Sequence, residues 1–246
     1  MAVLATAGDR RPVDLARRLA LPLIQDAAGA ALVLAYGAQG LELRAPGRRL
    51  KPLRVDFAQI GQHGGGALLR AARVRNRPAC VLDLTAGLAT DAFRLARAGF
   101  EVIACEREPV IHALVEEALG RAPALPGPGR LQLRRVDARV ALADPALPMP
   151  DVIYLDPMFP GEGRTALPRR ELQLLREVTG EDGSGAELLA LARSRSKRRV
   201  VVKRPLHAPA LAPDADLVFK GRAVRFDVYL TGAAAPGCRA VARRGR

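Results

Sequence analysis

The 246-residue chain carries 39 lysine and arginine side chains against 25 aspartate and glutamate side chains, and the resulting formal charge of +14 favours a polyanionic partner. An apolar content of 49% can bury a large core, yet no apolar run reaches the ~18 residues of a membrane span and no signal-peptide core opens the chain, so we expect a cytoplasmic protein. The three cysteines and three histidines show neither a disulfide framework nor metal-ligand spacing, and no metal is expected.

The first part of the chain, residues 1–60, is predicted to form a small N-terminal α/β lobe. Its helix and its strands are expected at 12–20, 31–36, 41–44 and 53–57. A glycine-rich linker, 61–66, then leads into a helix over 67–75. The linker, with Gly64-Gly65-Gly66, is either a loop that closes over a cofactor or meets RNA, or a flexible joint.

From Ala79 onward, strands and helices alternate, which predicts a mostly parallel sheet with right-handed crossovers. The first five strands are expected at 79–84, 100–105, 131–136, 151–155 and 199–203, and the helices near 91–98, 109–121, 138–143 and 185–194. An antiparallel C-terminal hairpin around Gly221-Arg222, with strands 216–220 and 224–230, completes a seven-stranded sheet. This domain would span 61–232, and the arginine-rich stretch 233–246 is expected to be disordered.

The segment Ala79–Phe93 has the pattern of a buried strand, a glycine turn at Gly87 and a helix start capped by Thr90 or Asp91. In an open parallel sheet, ligands bind outside the carboxyl ends of the strands, where this turn would lie. The next strand ends in Glu106, nineteen positions after Gly87, and an acidic residue at this spacing typically receives ribose hydroxyls. These features indicate a site for an adenosine moiety.

The charges around the glycine turn indicate which adenosine cofactor binds. The turn lacks the G-x-G-x-x-G series of dinucleotide sites, and the chain contains no P-loop. Asp91 at the helix start would also repel a phosphate group. S-adenosylmethionine has no phosphate and carries an ammonium and a sulfonium, so Asp83 and Asp91 suit it better than they suit NAD or ATP.

The motif Asp156–Pro160 follows an apolar strand and is suited to holding a planar amine. The exocyclic amine of a nucleobase is a poor nucleophile, because its lone pair is delocalised, and it needs acceptors that hold its N–H groups in one geometry. Asp156 can supply one acceptor, and the carbonyl of Pro157 or Met158 another, while Phe159 offers a face for an unstacked base. Taken alone, the motif is equally compatible with a proline-terminated turn in which Asp156 caps a neighbouring group.

Four blocks of the sequence, taken together, resemble ribosomal RNA small subunit methyltransferase J. The blocks are Asp83–Phe93, Glu106–Val110, Val152–Pro160 and Val200–Pro205. That bacterial family methylates a guanine N2 in 16S rRNA with S-adenosylmethionine, and the similarity extends in order from about Leu41 to Tyr229. The resemblance implies a Rossmann-like class I methyltransferase fold and the small ribosomal subunit as partner; we expect a monomer or weak dimer.

The resemblance also implies roles for individual residues. Cofactor contacts are implied at Thr90, Asp91, Glu106, Arg107, Asp137, Ala138 and Asp156. The predicted cofactor site further includes Asp83 and Gly87, and the predicted catalytic residues are Asp156, Pro157 and Phe159. The family commonly has Gly-Leu-Gly-Arg-Asp where this chain has Gly87-Leu88-Ala89-Thr90-Asp91, so Ala89 replaces a glycine and Thr90 replaces an arginine.

Basic residues on both sides of the predicted pocket are candidates for RNA contact. They are Arg164, Arg169, Arg170, Lys203 and Arg204. The first three follow the catalytic motif, where a solvated loop is the alternative. Lys203 lies towards the carboxyl end of a predicted strand, where it either reaches the base or the RNA backbone or serves a structural role.

Direct methyl transfer to nitrogen requires alignment of the two reactants but no nucleophilic side chain and no metal. We therefore expect methylation of the exocyclic N2 amine of a guanosine in 16S rRNA. One alternative is a DNA adenine-N6 methyltransferase, since adenine poses the same chemical problem, although no target-recognition domain is evident. The other is a noncatalytic ribosome-assembly factor, and the presence of Asp156, Phe159 and Glu106 counts against it.

Overall fold

The computed structural model describes residues 1–60, 65–74, 79–127, 129–157, 174, 177–179 and 185–232 of the chain. Two β-sheets organise these residues, one of five strands and one of seven. Residues 61–64 of the predicted linker 61–66 and the predicted disordered stretch at 233–246 lie outside the described residues. Within the described ranges, no helix combines the length and the apolar character needed to cross a membrane.

The five-stranded sheet belongs to the N-terminal part of the chain, together with helix α1 (Arg11–Leu19). Its strands are β1 (Ala2–Leu4), β2 (Leu23–Ile24), β3 (Val33–Gly37), β4 (Gly40–Arg44) and β5 (Leu53–Arg54), in the order β2-β1-β3-β4-β5. The predicted helix and the β3–β4 hairpin are present. The predicted strand over 53–57 is shorter, because the Asp56 carboxylate accepts from the Ala58 N–H and starts a 3₁₀ helix at Phe57–Gln59.

The seven-stranded sheet forms the rest of the described fold. Its strands are β6 (Cys80–Asp83), β7 (Glu101–Cys105), β8 (Arg130–Arg134), β9 (Val152–Leu155), β10 (Arg199–Pro205), β11 (Leu217–Lys220) and β12 (Val224–Leu230), in the order β11-β12-β10-β9-β6-β7-β8. Pairs that include β12 are antiparallel and the other pairs are parallel, so the predicted Rossmann-like sheet with its C-terminal hairpin is confirmed. The antiparallel strand lies second from the edge, because β12 inserts between β10 and β11.

Helices cover both faces of this sheet. They are α2 (Gly66–Ala72), α3 (Thr90–Arg97), α4 (Pro109–Gly120), α5 (Ala138–Ala143) and α6 (Gly185–Arg195). One apolar core contains buried residues of α4, such as Ile111 and Leu114, and of the N-terminal sheet, such as Leu41 and Leu43. Helix α4 therefore packs against both sheets, and the domain boundary near residue 60 stays a prediction.

The strand order brings the predicted site residues to one edge of the sheet. Asp83 pairs with Tyr154 in the β6–β9 register, and Leu155 pairs with Val202 in the β9–β10 register. After β6 the chain adds β7 and β8 on one side, and β9 then returns to the other side of β6. This reversal is the point at which open α/β sheets bind ligands.

Candidate active site

The glycine turn after β6 is fastened to the end of β7 by Glu106. The N–H of Gly87 donates to Glu106 Oε2 at 2.8 Å, and the N–H of Glu108 donates to Glu106 Oε1 at 2.7 Å. Burial raises the pKa of Glu106 above its ordinary value, an effect that these two hydrogen bonds oppose. Each carboxylate oxygen keeps a second lone pair, so Glu106 can fix the turn and still accept from a ligand hydroxyl.

Helix α3 begins without a side-chain cap, so the predicted capping by Thr90 or Asp91 is wrong. The N-cap residue is Ala89, which has a left-handed φ of 55° and no side-chain cap hydrogen bond. This conformation costs a residue with a Cβ roughly 1–2 kcal/mol, which accounts for the glycine that the resembling family commonly carries there. The carboxylate of Asp91 instead accepts hydrogen bonds from side chains of α3, β9 and β10.

Asp91 is the centre of a polar cluster that joins α3, β9 and β10. Its Oδ2 accepts from Tyr154 Oη at 2.8 Å and from Lys203 Nζ at 2.8 Å. Its Oδ1 accepts from Arg94 Nη1 at 2.9 Å. Lys203 Nζ also donates to Asp156 Oδ2 at 2.8 Å. Lys203 therefore bridges the carboxylate beside the glycine turn and the carboxylate of the catalytic motif.

The charges of this cluster shift one another's pKa values. Burial alone would raise the pKa of Asp91, but the charge and hydrogen bond of Lys203, with smaller contributions from Tyr154 and Arg94, lower it below the ordinary value. Burial alone would lower the pKa of Lys203, but Asp156 and Asp91 raise it above the ordinary value. Both groups are therefore charged at neutral pH.

Asp156 is positioned through its backbone and through Lys203. Its N–H donates to Thr85 Oγ1 at 2.6 Å, which ties the residue after β9 to the turn after β6. Its side chain is 38% exposed, against 13% for Asp91. The desolvation of this partly exposed carboxylate raises the pKa of Asp156, and Lys203 opposes that rise. Lys203 occupies Oδ2, and no donor among the described residues reaches Oδ1, so Oδ1 can accept from an incoming amine.

Asp83 lies beneath the site rather than on its surface. It is 1% exposed, and its Oδ1 accepts from the Thr85 N–H at 3.0 Å. Burial raises the pKa of Asp83 well above its ordinary value, and the charges of Asp91 and Asp156 add to the rise. Asp83 therefore shapes the turn, and its direct contact with a cofactor stays a prediction.

Asp137 and Arg107 meet at the ends of β8 and β7. Asp137 is the N-cap of α5, where its Oδ1 accepts from the Arg139 N–H at 2.8 Å. Its Oδ2 lies 3.6 Å from Arg107 Nη1, and Ala138 is the first residue of α5. The structure thus brings these predicted cofactor residues to the same edge as Glu106, and their cofactor contacts stay predictions.

The candidates for RNA contact fall into three groups. Arg204 is 4% exposed, and its Nε donates to the Pro209 carbonyl at 2.8 Å, so its burial gives no support to RNA contact. Lys203 is paired with carboxylates, which agrees with the structural alternative. The residues Arg164, Arg169 and Arg170 lie outside the described part of the chain, as does Phe159, the predicted catalytic residue that offers a stacking face.

Three residues of the site have roles that the sequence analysis did not assign. They are Thr85, which accepts from the Asp156 N–H, and Arg94 and Tyr154, which donate to Asp91. Tyr154 gives the one usable signal, because a phenol within an otherwise aliphatic buried strand requires a hydrogen-bond partner. Thr85 and Arg94 give no such signal.

The residues present fit a cationic cofactor. The described part of the site presents the carboxyl groups of Asp83, Asp91, Glu106 and Asp156 beside the cations of Lys203 and Arg94, and it offers no phosphate cradle. Among the described residues no histidine, cysteine or acidic cluster is placed to hold a metal. Fold and site together define a S-adenosylmethionine-dependent methyltransferase of the Rossmann-like class.

Comparison with known proteins identifies the family. A family model described as "Putative SAM-dependent methyltransferase" matches residues 14–231. A Ribosomal RNA small subunit methyltransferase J from Coxiella burnetii is 40% identical over 230 residues, covering 88% of this chain and 90% of that one. One from Thioalkalivibrio sulfidiphilus is 40% identical over 247 residues, covering 90% and 93%. A SAM-dependent methyltransferase structure from Neisseria gonorrhoeae is similar with a TM-score of 0.73 and 29% identity, covering 95% and 97%. The chain belongs to the ribosomal RNA small subunit methyltransferase J family.

Proposed function

We propose that this protein transfers a methyl group from S-adenosylmethionine to the exocyclic N2 amine of a guanosine in the 16S rRNA of the small ribosomal subunit, in the cytoplasm. The names of the relatives support a small-subunit rRNA substrate. The assignment of methyl transfer to an amine rests on the geometry of Asp156. Its Oδ2 accepts from Lys203, and its Oδ1 is available at the sheet edge. This arrangement suits an acceptor that must orient a flat amine.

The residues of the chain act mainly by alignment. When bound, the cofactor supplies a methyl group activated by its sulfonium. Asp156 Oδ1 accepts one N–H of the guanine amine, which fixes the nitrogen lone pair in a single direction. Lys203 keeps the carboxylate from rotating, because its ammonium is itself held by Asp91.

The same carboxylate can take the proton that the reaction releases. As the new N–C bond forms and the S–C bond breaks, the nitrogen becomes positively charged and its N–H becomes acidic. Asp156 Oδ1 accepts the hydrogen bond of that N–H, so it can take the proton and then pass it to water. Partial desolvation raises the pKa of Asp156, which makes it a better proton acceptor than a fully solvated aspartate.

The decisive experiment uses small subunits that lack the modification. They are incubated with methyl-labelled cofactor, and the labelled nucleoside is identified by mapping. We expect N2-methylguanosine from the wild-type protein. Labelled duplex DNA without labelled subunits would favour the adenine-N6 alternative, and subunit binding without any methyl transfer would favour the assembly factor.

Replacement of the catalytic carboxylate tests its assigned role. Asp156→Ala is expected to lower turnover by roughly 10²-fold or more while cofactor affinity stays within a few-fold, which is the scale of losing one oriented polar group. Asp214→Asn serves as a control, since Asp214 is an exposed carboxylate paired with Arg193 at 2.7 Å. A near-normal rate for Asp156→Ala would remove the proposed role of this side chain.

A further inference from the structure

The sheet order determines on which side of Asp156 the target nucleotide lies. The cofactor turn, with Gly87 and Glu106, lies over β6 and β7, and Asp156 follows β9. The strands on the other side of Asp156 are β10, β12 and β11. Because the donor and the acceptor of a methyl group stand on opposite sides of it, a base held by Asp156 would approach from the side of this second group of strands.

Three basic side chains are exposed at this flank of the site. They are Arg70 on α2, Lys220 at the end of β11 and Arg222 in the β11–β12 turn. The end of α2 leads away from the site, since the Ala71 carbonyl accepts from Arg199 Nη1 at the start of β10. Register places the hairpin at the catalytic edge, since Arg225 pairs with both Lys220 and Arg204. We call these three residues and their two elements the α2–hairpin surface.

The two elements of the α2–hairpin surface are in contact with each other and with the polar cluster. Arg70 Cζ lies 6.0 Å from the centroid of the Phe219 ring on β11. A methyl group placed on Gly221 would lie 3.8 Å from Ala67 Cβ of α2. A methyl group placed on Gly65, just before α2, would lie 3.3 Å from Cδ of Arg94, which binds Asp91. The surface is therefore continuous with the candidate active site.

The charges on the α2–hairpin surface are not balanced by carboxylates. Neither α2 nor the stretch 217–226 contains an aspartate or glutamate. Within the described part of the chain, no ion pair involves any of the three basic residues. Exposed arginines elsewhere are commonly paired, as in Arg11–Asp9, Arg121–Glu117, Arg139–Glu187 and Arg193–Asp214.

Other exposed cations of the seven-stranded sheet lie away from the expected side of the target base. Lys197 and Arg198 precede β10 and therefore lie at the opposite edge of the sheet. Arg135 follows β8, beyond the cofactor turn as seen from Asp156. The distance from β9 to β11 is three strand spacings, or about 14 Å, which several backbone phosphates can span.

We propose that the α2–hairpin surface binds the phosphate backbone of the RNA that flanks the target base. The identity of the polyanion rests on the proposed function. Guanidinium and ammonium groups without carboxylate partners bind phosphates by displacing condensed counterions. Such contacts carry no sequence information but fix the position of the strand, and so present one base to Asp156.

A matched pair of double variants tests the surface in the full chain. Arg70→Gln with Arg222→Gln removes two charges from it, and Lys197→Gln with Arg198→Gln removes two exposed charges at the opposite edge. Binding of small subunits that lack the modification is measured at several salt concentrations. Cofactor affinity and the melting temperature are measured for both variants.

The surface variant is expected to bind subunits at least ~10-fold more weakly at moderate salt. The magnitude of the slope of log affinity against log salt should also fall by about 1.4, because two phosphate contacts are lost and each single-strand contact contributes ~0.7. The opposite-edge variant should bind like the wild type, and both should bind the cofactor normally. Equal weakening in both variants, no weakening in either, or a wild type that does not bind subunits would overturn the inference. A wild type that binds subunits but does not methylate them would refute the proposed function alone.

Discussion

Replacement of Lys203 by methionine tests the polar cluster that joins α3, β9 and β10. Methionine keeps an apolar stem of similar length and removes the ammonium that lies 2.8 Å from both Asp91 and Asp156. Removing one partner of a fully buried ion pair costs about 3–5 kcal/mol. Since the Lys203 side chain is 26% exposed, solvent screening reduces the expected loss to about 2–3 kcal/mol. A chain of this size should then melt roughly 5–10 °C lower.

The loss of stability should depend on pH. The folded-state pKa of Asp91 is lowered from 3.8, so its contribution is present above that value and is lost as pH falls through the folded pKa. The folded-state pKa of Lys203 is raised from 10.5, so its contribution is complete below that value and is lost only at more alkaline pH. Between pH 5 and 9 Asp91 and Lys203 are therefore both charged in the wild-type protein. In Lys203→Met two neighbouring carboxylates lose their cation, and protonation relieves their repulsion, so the destabilisation should shrink towards pH 5.

Thermal unfolding followed by circular dichroism between pH 5 and pH 9 measures both effects. Lys220→Met is the matched control, because Lys220 is exposed and forms no ion pair with any described residue. Its melting temperature should follow that of the wild type at each pH. A Lys203→Met destabilisation that is the same at pH 5 and pH 9 would refute the ion-pair explanation, since lost packing does not depend on pH.

Two further predictions concern the packing of the sheet. Gly129→Ala should lower the free energy of unfolding in urea by about 2 kcal/mol or more, because the new methyl group would lie 1.8 Å from the Ala96 carbonyl oxygen. Gly120→Ala places its methyl group in open space at the end of α4 and should be neutral or slightly stabilising; a similar loss in both variants would contradict the steric reasoning. Burial raises the pKa of the Cys105 thiol to about 12, so iodoacetamide should label it slowly at pH 8 in the folded protein and rapidly in urea. Rapid labelling of the native protein would show that the thiol is accessible and ionised.

Local patterns predicted most of the seven-stranded sheet and its helices. Helix α5 occupies Ala138–Ala143, as predicted, because its N-cap Asp137 and its short apolar run lie next to each other in sequence. Strands β1 and β2 were not predicted, since two or three residues are too few to show an alternating pattern. Their formation depends on parallel pairing of β1 with β2 and β3, which brings distant segments together.

The candidate site was predicted in part. The motifs identified Gly87, Glu106 and Asp156, whose residue types and spacing match their chemistry. The contacts of Lys203 were not predicted, because it lies 112 residues from Asp91 and 47 residues from Asp156 along the chain. Only the placement of β10 beside β9 makes these groups neighbours.

The sequence by itself determined the alternation of strands and helices, the sites of the turns and the chemical groups at the ends of the strands. These properties depend on residues that are adjacent in the chain. Tertiary structure decided which carboxylate meets which cation, how deeply Asp83 is buried and which oxygen of Asp156 is available. Electrostatic interactions and hydrogen bonds depend on distance and burial in space, and strand order fixes both only after the sheet has formed.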